Sequence, residues 1–311
     1  MDFTEKFKAL GTEIIICAEI PQKKCGVFPN IKKIFYDFEK KFSRFQPASE
    51  LSRMNQCSGK EFNASPLMIE IMRLAKTAHK KTSGIFNPAV LNILENLGYD
   101  KNFEDIGGIN QNQPASAKIY TVKNSAFTGI KINKMAGKIK MPKGLRIDLG
   151  GIGKGFVVDL VSQKLKKYSA NFWISAGGDM IFYGTNHGQK WRVGVQNPLR
   201  HENDIMEVEM PEKMPAIATS GITKRVWRQN GQAYHHIIDP RTSLPANNRL
   251  LAATVVAHNA WWADVLAKSA LILGVEEGLK MINNEKNAEG VLIDSDLRMY
   301  FSDNMPKLAQ I

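Results

Sequence analysis

The stretch RIDLGGIGKGFVVDL, residues 146–160, sets four glycines, a lysine and two aspartates among apolar neighbours. Glycines let a backbone approach a ligand closely, and the free amides at a helix start favour negative charge. Two readings follow from the residues alone. One is a tight strand-to-helix turn whose glycines serve packing; the other is a cradle for an anion, with Lys154 adding a positive charge. A P-loop is excluded, because Asp148 stands where its first glycine belongs and Gly155 stands where its hydroxyl belongs. A dinucleotide fingerprint is excluded too, since Gly151, Gly153 and Gly155 have the wrong spacing and lie mid-chain.

Around this stretch the chain reads as α+β with mainly antiparallel pairing, because hairpins outnumber βαβ units. FKALGTEIIICAEI predicts a strand broken at Gly11, and IKKIFYDFEKKF carries Ile31, Ile34, Phe35, Phe38 and Phe42 at helical spacing. A polar loop is expected over residues 43–63, then a helix capped by Ser65 with Pro66 at its first position. A short helix should end at Gly98, and NKMAGKIKM resembles a hairpin inside a glycine- and lysine-rich stretch over residues 101–147. A helix opens at residues 150–155. Beyond it FWISA, MIFYG, WRVGVQ, MEVEM, PAIAT, KRVWRQ, YHHIID and LAATVVA read as short strands, followed by two helices and the strands VLID and MYFS. No domain boundary stands out, so residues 1–311 are taken as one domain.

With 311 residues and 43% hydrophobic side chains the chain is long and apolar enough for a sizeable core. The net charge of +12 fits an anionic ligand, a nucleic acid or a membrane surface as well as plain solubility. Nucleic-acid binding is disfavoured, as no RNP, KH or zinc-finger signature is present. Three cysteines without a CxxC pair exclude a disulfide framework and a zinc site. No secretory signal pattern and no run long enough for a membrane span occur, so a cytoplasmic location is expected.

Several further stretches carry polar groups suited to a site. GGDM brings Asp179 to the start of a strand, and ATSG places the hydroxyls of Thr219 and Ser220 beside Gly221. In HHIIDPRTS, alternation sends His236 and Ile238 to one face and His235 to the other, so one histidine faces a site and the other solvent. In WWADVLAKSALILG, Asp264 near a helix start has Lys268 one turn further on, and an i,i+4 ion pair is the default expectation.

Together FKALGT, FSRFQPASELSRMN, GIFNPAV, DLGGIGKG, AGGD, AIATSG, HHIIDPRTS and ADVLAKSALILG resemble, in order and along nearly the whole chain, the ApbE family of FAD:protein FMN transferases. The resemblance implies a two-lobed tunnelling-type fold with FAD between the lobes. It implies protein flavinylation: a threonine or serine hydroxyl of a client flavoprotein attacks the phosphorus on the riboflavin side of FAD, AMP departs, and FMN stays as a phosphoester. It implies FAD as substrate, Mg²⁺ at the phosphates, and a pyrophosphate as the anion at the glycine stretch. By the same resemblance Phe45, Gly98, Tyr99, Asp148, Lys154, Thr219, Ser220 and Gly221 match FAD-contacting positions. His236 matches the base, and the Gly151 carbonyl and Asp264 match metal ligands.

Two departures stand out. Lys268 occupies the position where the family has a threonine metal ligand, and an ammonium has no lone pair to offer. Either its charge replaces the ion, or Mg²⁺ keeps Asp264 and Gly151 with an extra water, or Ser269 substitutes. The alternative function is therefore an FAD-binding relative with weak or no transferase activity. Ser243 also stands where the family usually has glycine, and a positive φ there would cost something.

Overall fold

The computed structural model describes residues 2–106, 121, 124–229 and 231–310. Residues 107–120, 122 and 123 of the glycine- and lysine-rich stretch lie outside the described residues. The chain divides into two compact units: Met1–Phe38, Ile152–Gly221 and Asn248–Ile311 form the first, and Glu39–Gly151 with Ile222–Asn247 form the second.

The first unit is built on an eight-stranded sheet whose spatial order is its chain order. Asp2–Ala9, Thr12–Glu19, Phe172–Ala176, Asp179–Tyr183, Ala216–Gly221, Leu250–Ala257, Ala288–Asp294 and Met299–Phe301 each pair with the next. Every pairing is antiparallel. Gly11, at φ 64, makes the first hairpin turn, as the break in the sequence pattern predicts. Side chains alternate across the sheet, so each face needs its own cover. Ile217, Val256, Val291 and Ile293 join Val195, Met206 and Val208 of a three-stranded sheet in one buried cluster. The helices Gly153–Leu165 and Ala260–Leu273 also pack on the large sheet.

These two helices touch backbone to backbone, and glycine is the reason. A Cβ on Gly155 would lie 2.4 Å from the Ala260 carbonyl oxygen and 2.6 Å from Trp261 Cα. One turn later Asp159 accepts the amides of Ala260 at 3.0 Å and Trp261 at 2.9 Å, while Asn259 caps the same helix through the Trp262 amide. The helix Ala260–Leu273 is buried nearly all round, as a core helix must be when its apolar residues leave no polar face. It ends at Gly274, φ 86.

In the second unit Ser65 accepts the Met68 amide and Pro66 opens the helix Pro66–Lys81, as expected. The region expected to be a polar loop instead holds the helix Glu50–Gln56, capped by Ser49. Its apolar signal is only Leu51 and Met54, two buried residues in a stretch too short for periodicity to register. The short helix Leu91–Asn96 precedes Gly98, and Lys131–Asn133 pairs with Lys138–Lys140 as the hairpin pattern predicts. The strand expected over YHHIID is split: Gln232–His235 pairs with Val226–Gln229, and Ile238–Asp239 pairs with Leu244–Pro245.

Candidate active site

In the second unit the candidates Phe45, Tyr99, Asp148 and His236 gather in one half-buried cluster. Asn55 donates to the Ile147 carbonyl at 3.0 Å and accepts its amide at 2.9 Å, gripping the chain just before Asp148 as a strand neighbour would. The Asp148 amide donates to the Pro88 carbonyl, and its Oδ2 accepts the Gly150 amide at 3.3 Å. Asp148 is half-buried, and its Oδ1 lies 3.4 Å from Arg44 Nε.

Gly98, at φ 87, supplies the left-handed turn that leads into Tyr99. Trp227 stabilises that turn: its indole N–H donates to the Leu97 carbonyl at 2.5 Å, and its ring lies 5.2 Å from that of Tyr99. Phe45 approaches Tyr99 at 5.8 Å and His236 meets it edge-on at 6.5 Å. The cluster brings together Asp148 and His236 with Phe45 and Tyr99, which only the family resemblance singles out, and adds Arg44 and Trp227, which the sequence reading did not name. The signal for Arg44 lay in FSRF, a cation flanked by aromatic residues; Trp227 carried none beyond its alternation in VWRQ.

The two histidines separate by role, though not as the alternation predicts. His235 does not face solvent: its Nε2 donates to the Ala246 carbonyl at 3.0 Å, and its Nδ1 accepts the Ile237 amide at 3.3 Å. Burial pushes its pKa below the usual imidazole range, against that carbonyl bond. It is a neutral residue that holds the break between the two short strands. His236, half-buried against Tyr99, is the one beside the cluster. Downstream, Ser243 takes φ 61 and its amide donates to the Asp239 carbonyl at 2.8 Å, so the serine does sit in a glycine conformation.

The remaining candidates lie in the first unit, apart from Gly151, which is the last residue of its segment of the second. Lys154 Nζ pairs with Oδ2 of Asp179, a carboxylate only 1% exposed, so the ammonium meets a fixed anion within its own unit. The helix it opens has no side-chain cap at Ile152, which leaves the first amides to other partners. Gly151, buried, is the turn residue before that helix. Thr219 Oγ1 contacts Thr254 Oγ1 at 2.9 Å, whereas Ser220 is buried. Strand alternation therefore sends the Thr219 and Ser220 hydroxyls to opposite faces, and they do not form a single clasp. Gly221, half-buried, ends their strand.

Asp264 is the most unusual group. It is 4% exposed, among apolar neighbours on its helix, and among the described residues its Oδ2 has no hydrogen-bond partner. A buried carboxylate oxygen left in that state is costly, and a cation is the natural complement. By this chemistry Asp264 fits a metal ligand. Lys268 is half-buried one turn along, and Ser269 donates its hydroxyl to the Val265 carbonyl at 2.7 Å. Among the described residues no three His, Cys, Asp or Glu side chains gather into a metal cage.

The chain is similar to known proteins along most of its length. The chain is 28% identical to the FAD:protein FMN transferase of Vibrio cholerae over 253 residues, covering 80% of this chain and 74% of that protein. With the Haemophilus influenzae protein of the same name it shares 27% over 276 residues, covering 86% and 78%. The fold matches the crystal structure of the ApbE protein from Thermotoga maritima at a TM-score of 0.84 and 22% identity, over 100% of both chains. It matches the flavin transferase ApbE from Vibrio cholerae at 0.78 and 24%, over 99% of both. The model of the ApbE family spans residues 10–292, and the chain belongs to that family.

Proposed function

We propose that this protein transfers FMN from FAD to a threonine or serine hydroxyl of a client protein, releasing AMP. The observation that carries the reading is the likeness to FAD:protein FMN transferases over four-fifths or more of the chain. In this reading Phe45 and Tyr99, the latter set by the turn at Gly98, bind a ring of FAD, where stacking is the useful force. The family resemblance makes Asp148, Lys154, Thr219, Ser220 and Gly221 the further candidates for contact with the dinucleotide.

His236 takes the proton of the incoming hydroxyl, whose oxygen attacks the phosphorus on the FMN side. The bond from that phosphorus to the bridging oxygen breaks, and AMP leaves with the oxygen. Phosphoryl transfer of this kind asks a protein mainly for positioning and charge neutralisation. Asp264 would hold Mg²⁺, a hard cation that prefers oxygen. Bound there, the ion would neutralise charge on the phosphates. Lys268 weakens that site without abolishing it.

The test is incubation of the purified protein with FAD, Mg²⁺ and a client bearing an acceptor threonine. Covalently attached flavin is the expected result. No attachment and no AMP at any Mg²⁺ concentration rejects the proposal.

A further inference from the structure

Arg44 contacts three of the groups assigned above to FAD, yet neither the sequence pattern nor the family resemblance singles it out. Its side chain is 5% exposed. Nη1 donates to the Tyr99 carbonyl at 2.8 Å, and Nε lies 3.4 Å from Asp148 Oδ1. The guanidinium carbon Cζ stands over both rings, 4.1 Å from the centre of Phe45 and 4.5 Å from that of Tyr99. Its remaining nitrogen, Nη2, is buried and has no hydrogen-bond partner among the described residues.

That last feature makes a purely structural role a poor account. A charged donor left unsatisfied out of water destabilises the fold, and a well-packed apolar side chain would serve the core better. Groups held at such a cost cluster where a site needs them. The guanidinium offers what an ammonium does not: a rigid plane that covers two rings while its edge serves a carboxylate and a carbonyl.

We infer that Arg44 is a positioning residue, which fixes the Phe45 and Tyr99 rings and the Asp148 carboxylate in the arrangement that receives FAD. The inference rests on the proposed function, since it takes those three residues as FAD contacts. Arg44 acts through them before the chemical step, so its loss raises the KM for FAD more than it lowers kcat.

The experiment compares wild type, Arg44→Met and Arg44→Lys by FAD titration, steady-state transfer and thermal melting. Arg44→Met is expected to weaken FAD binding and raise KM about tenfold, with kcat within about threefold, measured on the folded protein below its Tm. Arg44→Lys, keeping the charge but not the plane, should fall between the two. FAD affinity in Arg44→Met equal to that of wild type overturns the inference, as does a lowered Tm with normal FAD binding by the folded fraction. If Arg44→Met does not fold, Arg44→Lys decides: wild-type affinity there overturns it, and a several-fold loss supports it. A wild-type protein that binds no FAD instead overturns the proposed function itself.

Discussion

Asp159 accepts the amide of Trp261 at 2.9 Å and so ties the glycine-loop helix to the start of the helix that carries Asp264. Burial pushes this carboxyl up to about 6, against the two amide bonds that favour its charged form. The folded chain therefore keeps a proton that the unfolded chain releases near 4. The stability this proton supplies is fully present below about pH 4 and is lost as pH rises through about 6. Two pH units correspond to on the order of 3 kcal/mol. Chemical denaturation of wild type and Asp159→Asn from pH 4 to 7 should show a downward slope in the wild type that the variant lacks. Parallel slopes would contradict the assignment.

Gly155 and Gly153 should respond oppositely to alanine. At Gly155 the new Cβ meets Ala260 backbone at 2.4 Å, so the helices must separate, at about 2–3 kcal/mol. At Gly153 the nearest atom is Phe38 Cε1 at 3.7 Å, an ordinary contact, and alanine should be neutral or slightly stabilising. Urea midpoints of the two variants check this, and equal losses would refute the packing account.

Ser243 adopts φ 61, a conformation that costs an L-residue roughly 1 kcal/mol and glycine almost nothing. Part of that gain is offset by the greater freedom of glycine in the unfolded chain. Ser243→Gly should raise stability by about 0.5 kcal/mol with no loss of FMN transfer. A lower melting temperature would contradict it.

Asp264, proposed above as a ligand of the ion, is a buried carboxylate whose Oδ2 has no hydrogen-bond partner among the described residues. Asp264→Asn should leave stability unchanged or raise it, since the buried Oδ2 has no partner to lose among the described residues. FMN transfer should fall at least about 100-fold if the carboxylate holds the ion. Loss of stability with transfer intact would reverse the assignment.

Lys268 sets a unit positive charge one helical turn from Asp264, a spacing of about 5–6 Å between Cβ atoms. Near a cation site at intermediate dielectric such a charge costs on the order of 2 kcal/mol. Lys268→Thr should therefore bind Mn²⁺, followed by its spin resonance, at least about tenfold more tightly than wild type. Equal affinity would show that the lysine charge points elsewhere.

Much of this architecture is readable from residue order. Caps and turns such as Ser65-Pro66, Gly11 and Gly98 act within a few residues, so their signals are local and they appear where expected. The meander from Asp2–Ala9 to Met299–Phe301 is not local. The strands Thr12–Glu19 and Phe172–Ala176 pair across a long intervening stretch, and nothing in either strand names its partner. The site divides in the same way. Asp148 is visible from its place before the glycines and Phe45 and Tyr99 only through the family resemblance, while Arg44 enters only through contacts with Tyr99, 55 positions away, and Asp148. The opposite-facing hydroxyls of Thr219 and Ser220 follow from strand geometry once the strand is known to run through both. Gly155 resolves the opening ambiguity in favour of packing at its own position, and the helix it belongs to starts without a side-chain cap.

The central claim is that the protein moves FMN from FAD onto another protein's hydroxyl. The most direct measurement is the ratio of AMP released to flavin bound covalently by the acceptor, both counted in one reaction with FAD and Mg²⁺. One AMP per attached FMN, with no AMP when the acceptor threonine is replaced by alanine, is the predicted result. AMP with free FMN and an unmodified acceptor, or neither product, would contradict it.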